Sequence, residues 1–206
     1  LRMLRADGIE VKIITGDNRL VAGRMGRLMG LTRPIVLTGE ELHGLSDTSL
    51  MQRAGDVDIF AETEPNQKER ILVALRKAGH VVNISSIGVL TNAPRFSAYV
   101  ASKAALDAWT RCASSEYADV GITFTTINMP LVRTPMIAPT KIYQNVPTLA
   151  PEEAADLIAQ ACVEKPVRIA TRLGITGEVL HALAPRVAQI VMNTSFRMFP
   201  DSEAAK

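Results

Sequence analysis

Cysteine and histidine are scarce in this 206-residue chain, which has two Cys and three His. Cys112 and Cys162 both fall in stretches of helical periodicity, so they read as buried thiols in a reducing compartment and not as a disulfide framework. His43, His80 and His181 are scattered without companion ligands at metal spacing; each reads as a surface or capping residue, and no metal site is expected. Charge of one sign is missing as well. Lys and Arg total 23 against 21 Asp and Glu, divided 12 to 11 up to residue 82 and 11 to 10 beyond it. Neither half carries the concentrated positive field that a nucleic-acid partner would need. No apolar run reaches the ~18 residues of a membrane-spanning helix, and the opening "LRMLRADGIE" lacks the apolar core of a signal peptide. The expectation is a cytoplasmic protein with no transmembrane segment.

What is present is an ordinary globular balance, 47% hydrophobic and 21% charged, in a chain long enough for one sizeable core or two small ones. Short β-branched runs ("EVKIIT", "PIVL", "VDIFA", "HVVNIS", "ITFTTIN", "VRIAT") alternate with longer stretches of helical period. That alternation predicts an α/β fold with a mostly parallel sheet covered on both faces. No Gly/Ser/Pro linker interrupts it, so a single three-layer domain over 1–206, its sheet fed by both halves, is expected. Pro185 divides the last helical pattern into two helices or one kinked helix. Within it, "RVAQIVMNTSFRMF" suits core packing against the sheet, with an amphipathic helix on a membrane or a dimer partner as the alternative. The polar end "PDSEAAK" reads as a frayed terminus.

Chemistry enters first at "IITGDNRLVAGRMGRLMGL". A buried strand ends in Thr15-Gly16-Asp17, and a helix follows with apolar residues at Leu20, Val21, Met25, Leu28 and Met29. A loop at the carboxyl end of a parallel strand, leading into a helix amino terminus, offers backbone N–H groups to an anion. The same spacing also describes a plain tight turn capped by Asp17 or Asn18. With "GIEVKIITGDN" and "VDIFAETEPNQKERILVALRKAGHVV", residues 1–82 closely resemble the phosphorylation domain of P-type ATPases of the magnesium-transporting kind, a haloacid-dehalogenase-like α/β domain. That resemblance implies phosphate-binding roles for Thr15, Gly16 and Asp17, and charge balance by Lys68. Lys68 is otherwise a solvated lysine in the first turns of a helix. The family's phosphorylated Asp in D-K-T-G-T and its magnesium loop G-D-G-x-N-D have no counterpart here. No complete magnesium site remains, and neither ion transport nor ATP hydrolysis is expected.

From Asn83 the pattern changes to N-x-S-S, then Tyr99-x-x-x-Lys103, then "INMPLVRTPM". A Tyr and a Lys four apart on a helix share a face, so the ammonium can favour the tyrosinate, and a Ser at the end of the preceding strand can bond the same substrate oxygen. Bare Y-x-x-x-K pairs also occur as solvated helix faces. Over 83–206, however, the sequence resembles the carboxyl half of short-chain dehydrogenases/reductases, whose Ser stands thirteen positions before the Tyr; that spacing selects Ser86 over Ser85. The resemblance implies Tyr99 as general acid/base, Lys103 as the residue that lowers its pKa and holds the nicotinamide ribose, and Ser86 as the group that orients the carbonyl. Pro130, Val132 and Thr134 match the nicotinamide-contacting loop, although Leu131 replaces the usual Gly. The tail "EEAADLIAQACVEKPVRIATRLGITGEVLHALAPRVAQIVMNTSFRMFP" looks most like fatty acyl-CoA or fatty aldehyde reductases.

The resemblance therefore implies an NAD- or NADP-dependent, Rossmann-like oxidoreductase for a small-molecule carbonyl or alcohol. Homodimerisation through the Tyr99-bearing helix is implied too. The family's T-G-x-x-x-G-x-G fingerprint is missing: "ITGDNRLVAGRMG" sets Gly23 and Gly26 too far along and puts an anion, Asp17, beside the pyrophosphate position. Losing several charge-assisted hydrogen bonds at about 1.5–3 kcal/mol each would weaken cofactor binding by orders of magnitude. Two alternatives follow, a non-catalytic chimeric fold with no partner molecule and a phosphate-binding remnant of the pump domain. The junction, between Val82 and Asn83, falls inside one predicted strand.

Overall fold

A computed structural model describes residues 4, 6, 8–75, 79–135, 137 and 146–198. The chain divides into two compact units, Leu1–Lys77 and Ala78–Lys206. All six sequence-predicted strands form, and the fold is α/β with parallel strands. Among the described residues the ladders make two three-stranded sheets where the sequence anticipates one sheet fed by both halves.

In the first unit, β1 (Ile13–Ile14), β2 (Val36–Thr38) and β3 (Ile59–Ala61) pair in the order β1-β3-β2, all parallel. Ile59, Phe60 and Ala61 are wholly buried, as expected of a central strand covered on both faces. One face packs against α2 (Gly39–His43), α3 (Asp47–Arg53) and α4 (Pro65–Leu75) through Leu42, Leu50, Phe60 and Ile71. The other meets α1 (Arg19–Leu28), which approaches through its small residues Ala22, Gly23 and Gly26. A methyl on Gly26 would lie 2.6 Å from Ile59 Cδ1, so glycine is what allows this approach. The apolar residues noted in the sequence at Leu20, Val21, Met25, Leu28 and Met29 consequently point outward.

The second unit begins before the sequence junction. β4 (His80–Ser86) crosses Val82-Asn83 without interruption and pairs in parallel with β5 (Thr123–Met129) over its full length, from His80↔Thr123 to Ser86↔Met129. The "GHVV" strand therefore hydrogen-bonds within the second sheet, because β5 supplies a complete parallel partner for it. β6 (Arg168–Ile169) completes the order β4-β5-β6. Alternation along β4 and β5 sends two sets of side chains to opposite faces. The long α6 (Ser97–Glu116) covers the face of Asn83, Phe124 and Asn128. α7 (Pro151–Glu164) packs against β4 and β5 and brings Ala161 beside His80.

A short α5 (Ile87–Thr91) follows β4, and α8 (Arg172–Leu183) packs against it through Gly174, where a methyl would lie 2.9 Å from Leu90 Cδ1. α9 (Pro185–Met198) begins at the proline, so the last pattern is two helices. Core packing of α9 is not observed: Ala188 is its one buried residue, while Val187, Ile190 and Val191 face outward. The side that meets the protein carries Ala188, Met192 and Ser195, leaving the branched residues on the other side. Cys112 also departs from expectation. It lies in α6 but is exposed, since Asp107, Thr110 and Ala113 take the inward positions. Cys162, in α7, is half-buried, and burial pushes its thiol up from the usual value. The terminal "PDSEAAK" lies outside the described residues.

Candidate active site

Ser86 is the last residue of β4 and the N-cap of α5; its Oγ accepts from Gly88 N at 3.1 Å. Four residues after the left-handed Asn92–Arg95 turn positions, α6 presents Tyr99 and Lys103 one turn apart. Lys103 Nζ donates to the Ile84 carbonyl at 3.0 Å and sits 6.0 Å from the Tyr99 ring centroid. That bond ties the helix to β4 two residues before Ser86. A methyl placed on Gly88 would lie 3.3 Å from Ser86 Oγ and 3.4 Å from Val100 Cγ2, so the serine hydroxyl and the residue after Tyr99 flank the same small gap. Tyr99 is 48% exposed, open to a substrate. The structure thus places all three sequence-selected residues at the carboxyl end of β4, where ligands bind in open α/β sheets.

Pro130, Val132 and Thr134 follow β5 at the same end. Their backbone is anchored, with Val132 bridging to Leu149 in parallel, Arg133 N donating to Leu149 O at 2.9 Å and Leu149 N to Leu131 O at 2.8 Å. The non-glycine residues with left-handed backbone among those described are Glu62, Asn92, Arg95 and Lys165, so Leu131 takes the usual glycine position without that strain.

The first unit's loop serves itself. Thr15 Oγ1 donates to Asp17 Oδ2 at 2.9 Å and accepts from Asp17 N at 3.1 Å. Asn18 caps α1 by accepting from Val21 N at 3.0 Å, and the Glu62 carboxylate accepts from Arg19 N at 2.8 Å. A protein carboxylate therefore occupies the helix amino terminus where a phosphate oxygen would bind. Arg19 also pairs with Glu41 at 2.8 Å, and Glu41 is held below its usual carboxyl value by the backbone hydrogen bond from Thr38 and then by Arg19. Gly16 lies in the same turn, and Lys68 follows in α4 beyond Thr63, which donates to Thr15 O at 3.0 Å.

His80 is neither a surface nor a capping residue: half-buried, it bonds Thr123 Oγ1 at 2.8 Å and Thr125 Oγ1 at 2.9 Å. Burial, and after it the Lys165 ammonium, pushes its imidazole below the ordinary value. No group of three or more potential metal-ligating side chains occurs among the described residues. The sequence reading missed the polar filling between sheet and helix beneath Ser86. Asn83 donates to Thr110 Oγ1 at 2.8 Å, and Asn128 to Asp107 Oδ2 at 3.3 Å. The signal available was the period-two recurrence of polar residues on one face of each strand, Asn83 and Ser85 in β4 and Thr126 and Asn128 in β5, all of them buried.

The short chain dehydrogenase family model matches residues 41–144. The chain belongs to this family. As a short-chain dehydrogenase it is 62% identical over 130 residues to a fatty acyl-CoA reductase of Acinetobacter baylyi, covering 63% of this chain and 44% of that protein. It is 42% identical over 176 residues to an uncharacterized oxidoreductase of Mycobacterium bovis, covering 85% and 50%. The chain thus spans about half the length of the curated oxidoreductases it matches. A separate similarity, 42% over 89 residues, is to a P-type magnesium-transporting ATPase of Salmonella typhimurium, covering 43% of this chain and 10% of that one. Among solved structures, a short chain dehydrogenase from Burkholderia cenocepacia in complex with NADP matches 88% of this chain and 98% of its own, with TM-score 0.55 and 16% identity. That likeness establishes the Rossmann-like fold of this short-chain dehydrogenase. No helix among the described residues is long and apolar enough to cross a membrane.

Proposed function

We propose that this chain carries the substrate-side chemistry of an NAD(P)-dependent reductase acting on a carbonyl or alcohol of the fatty aldehyde or acyl-CoA class, joined to a segment derived from a P-type ATPase phosphorylation domain. The observation that carries the reading is the Lys103–Ile84 bond, which holds the Tyr99 turn of α6 against the strand that ends in Ser86. In this role Tyr99 passes its phenolic proton to the substrate oxygen, Ser86 orients that oxygen through its hydroxyl, and Lys103 supplies fixed positive charge beside the phenol. A bound nicotinamide supplies the reducing equivalents.

Within the second unit, the residues present fit the nicotinamide end of such a cofactor. At the nicotinamide end, Lys103 keeps its bond to the Ile84 carbonyl and has further ammonium hydrogens to offer a ribose hydroxyl, and the anchored Pro130–Thr134 loop offers backbone groups and the Thr134 hydroxyl. Within the first unit, the Arg19 and Val21 amides of α1 are already bonded to Glu62 and Asn18, and the family's glycine fingerprint is absent, so that turn by itself does not suit a dinucleotide phosphate. The reading is of weak cofactor affinity and slow turnover. The same self-capping favours, as a second reading, a chimeric fold without activity, and it argues against the phosphate-binding remnant.

Titration of NADH and NADPH against the full chain, followed by nicotinamide fluorescence, tests the proposal. Saturable binding that Lys103→Ala abolishes, with Tyr99→Phe retaining binding but losing aldehyde reduction, is the expected result. No binding at millimolar cofactor would leave the inactive chimera as the correct account.

A further inference from the structure

Three buried polar side-chain atoms lack a partner among the described residues: Ser85 Oγ, Asp107 Oδ1 and Asn128 Oδ1. Their residues are 3%, 3% and 0% exposed, respectively, and they gather at one place. Ser85 and Asn128 are register partners on β4 and β5, so their side chains leave the same face of the sheet. Asn128 Nδ2 donates to Asp107 Oδ2 of α6 at 3.3 Å and to the Ser86 carbonyl at 3.5 Å. Because both of those neighbours are acceptors, chemistry fixes the amide's orientation: a flip would set three acceptor oxygens together. Asn128 Oδ1 is thereby left to seek a donor. The unmade bonds comprise one hydroxyl donor and two acceptors, and buried groups of this kind are satisfied in native proteins by protein or ordered water.

We propose that Ser85, Asp107 and Asn128 hold a single ordered water, and that this hydrated cluster positions Ser86. The water accepts from the Ser85 hydroxyl and donates one hydrogen each to Asp107 Oδ1 and Asn128 Oδ1, which closes the count of donors and acceptors. Asn128 then stands braced on one side by the water and on the other by Asp107 and the Ser86 carbonyl, fixing the end of β4 at the residue whose hydroxyl faces the α6 amino-terminal turn. Asp107 and Ser85 are positioning residues in this account, and Ser85 acquires a task distinct from that of its neighbour. The significance of Ser86 rests on the proposed function; the water does not.

The test is water-selective NMR on the full chain, with the Asn128 side-chain amide and the Ser86 carbonyl ¹³C resonance as reporters. A long-lived water cross-peak to the Asn128 amide is expected. Ser85→Ala should abolish it and move the Ser86 carbonyl resonance, whereas Ser85→Thr, which keeps the hydroxyl, should restore both. A wild-type protein without the cross-peak, or Ser85→Ala and Ser85→Thr behaving alike, overturns the proposal. Failure of cofactor binding in the same sample, with the cross-peak present, would count against the proposed function alone.

Discussion

The bond that couples Tyr99's helix to Ser86's strand most deeply is between Asn83 and Thr110, and its removal has a calculable effect. Asn83 Nδ2 donates to Thr110 Oγ1 at 2.8 Å and to the Leu106 carbonyl at 3.4 Å, and Thr110 Oγ1 donates to Leu106 O at 2.9 Å. Both side chains are buried. Asn83→Ala removes the amide but leaves the Thr110 hydroxyl with its own acceptor, so the loss is the net worth of one good hydrogen bond, ~0.5–1.5 kcal/mol, plus the cost of a small cavity, for a total of about 2 kcal/mol. Thr110→Val instead strands a buried amide with a single long contact, about 1–3 kcal/mol. The double variant should be less damaging than the sum by about 1 kcal/mol, because the shared bond is lost only once. Urea denaturation followed by fluorescence isolates the second unit, since the chain's single tryptophan is Trp109 in α6, edge-on to Phe124 at 6.2 Å. Strict additivity, or a neutral Asn83→Ala, would refute the claim that this bond fixes the helix on the strand.

Three further outcomes follow from the geometry. Glu62 combines a left-handed backbone (φ 55°) with the cap on Arg19 N; Glu62→Ala should cost about 1–2 kcal/mol of first-unit stability, and Glu62→Gly about 1 kcal/mol less because glycine relieves the backbone. If denaturation midpoints rank the glycine variant at or below alanine, the strain argument is wrong. Gly26→Val drives a branched side chain against buried Ile59 and should lower stability by about 2–3 kcal/mol, again by denaturation; a neutral result would mean that α1 does not approach β3 as described. Burial depresses the His80 imidazole below its reference value of 6.5, so the unfolded chain takes up a proton more readily. The stability this confers is complete above about pH 6.5 and is lost as pH falls through the lower folded value. Melting temperatures should therefore drop from pH 7 to pH 5, and less so in His80→Gln; equal drops in both proteins would remove His80 from the explanation.

Strand positions were legible in the sequence because β-branched runs bounded by helical periods leave little ambiguity, and Pro185 marked the break between the last two helices correctly. A one-turn spacing on a helix and a Ser at a strand's end could be read from the sequence for Tyr99, Lys103 and the Ser85-Ser86 pair, whereas the choice of Ser86 over Ser85 rests on the family resemblance. What escaped depended on tertiary choice. Periodicity does not reveal that α1 would turn Ala22, Gly23 and Gly26 inward and leave Leu20 and Leu28 outside. Nor does it reveal which strand takes His80–Val82 as its neighbour; β5 does so because it runs parallel and matches the whole of β4. Ser85 looked like a discarded alternative to Ser86, and its role appears only once Asn128 and Asp107 are seen across from it. The capping of α1 by Glu62, 43 residues distant from Arg19, lay beyond any local pattern.

The proposal is an oxidoreductase that keeps Lys103 and the Pro130–Thr134 loop and lacks the family's glycine fingerprint. It is tested most directly by comparing the dissociation constants of reduced nicotinamide mononucleotide and NADH for the same protein. The account predicts saturable binding of both, within about tenfold of each other, or ~1.4 kcal/mol, because the adenosine and second phosphate find few partners. NADH binding tighter by a thousandfold or more would show a working dinucleotide grip and contradict the account, as would failure of the mononucleotide to bind at all.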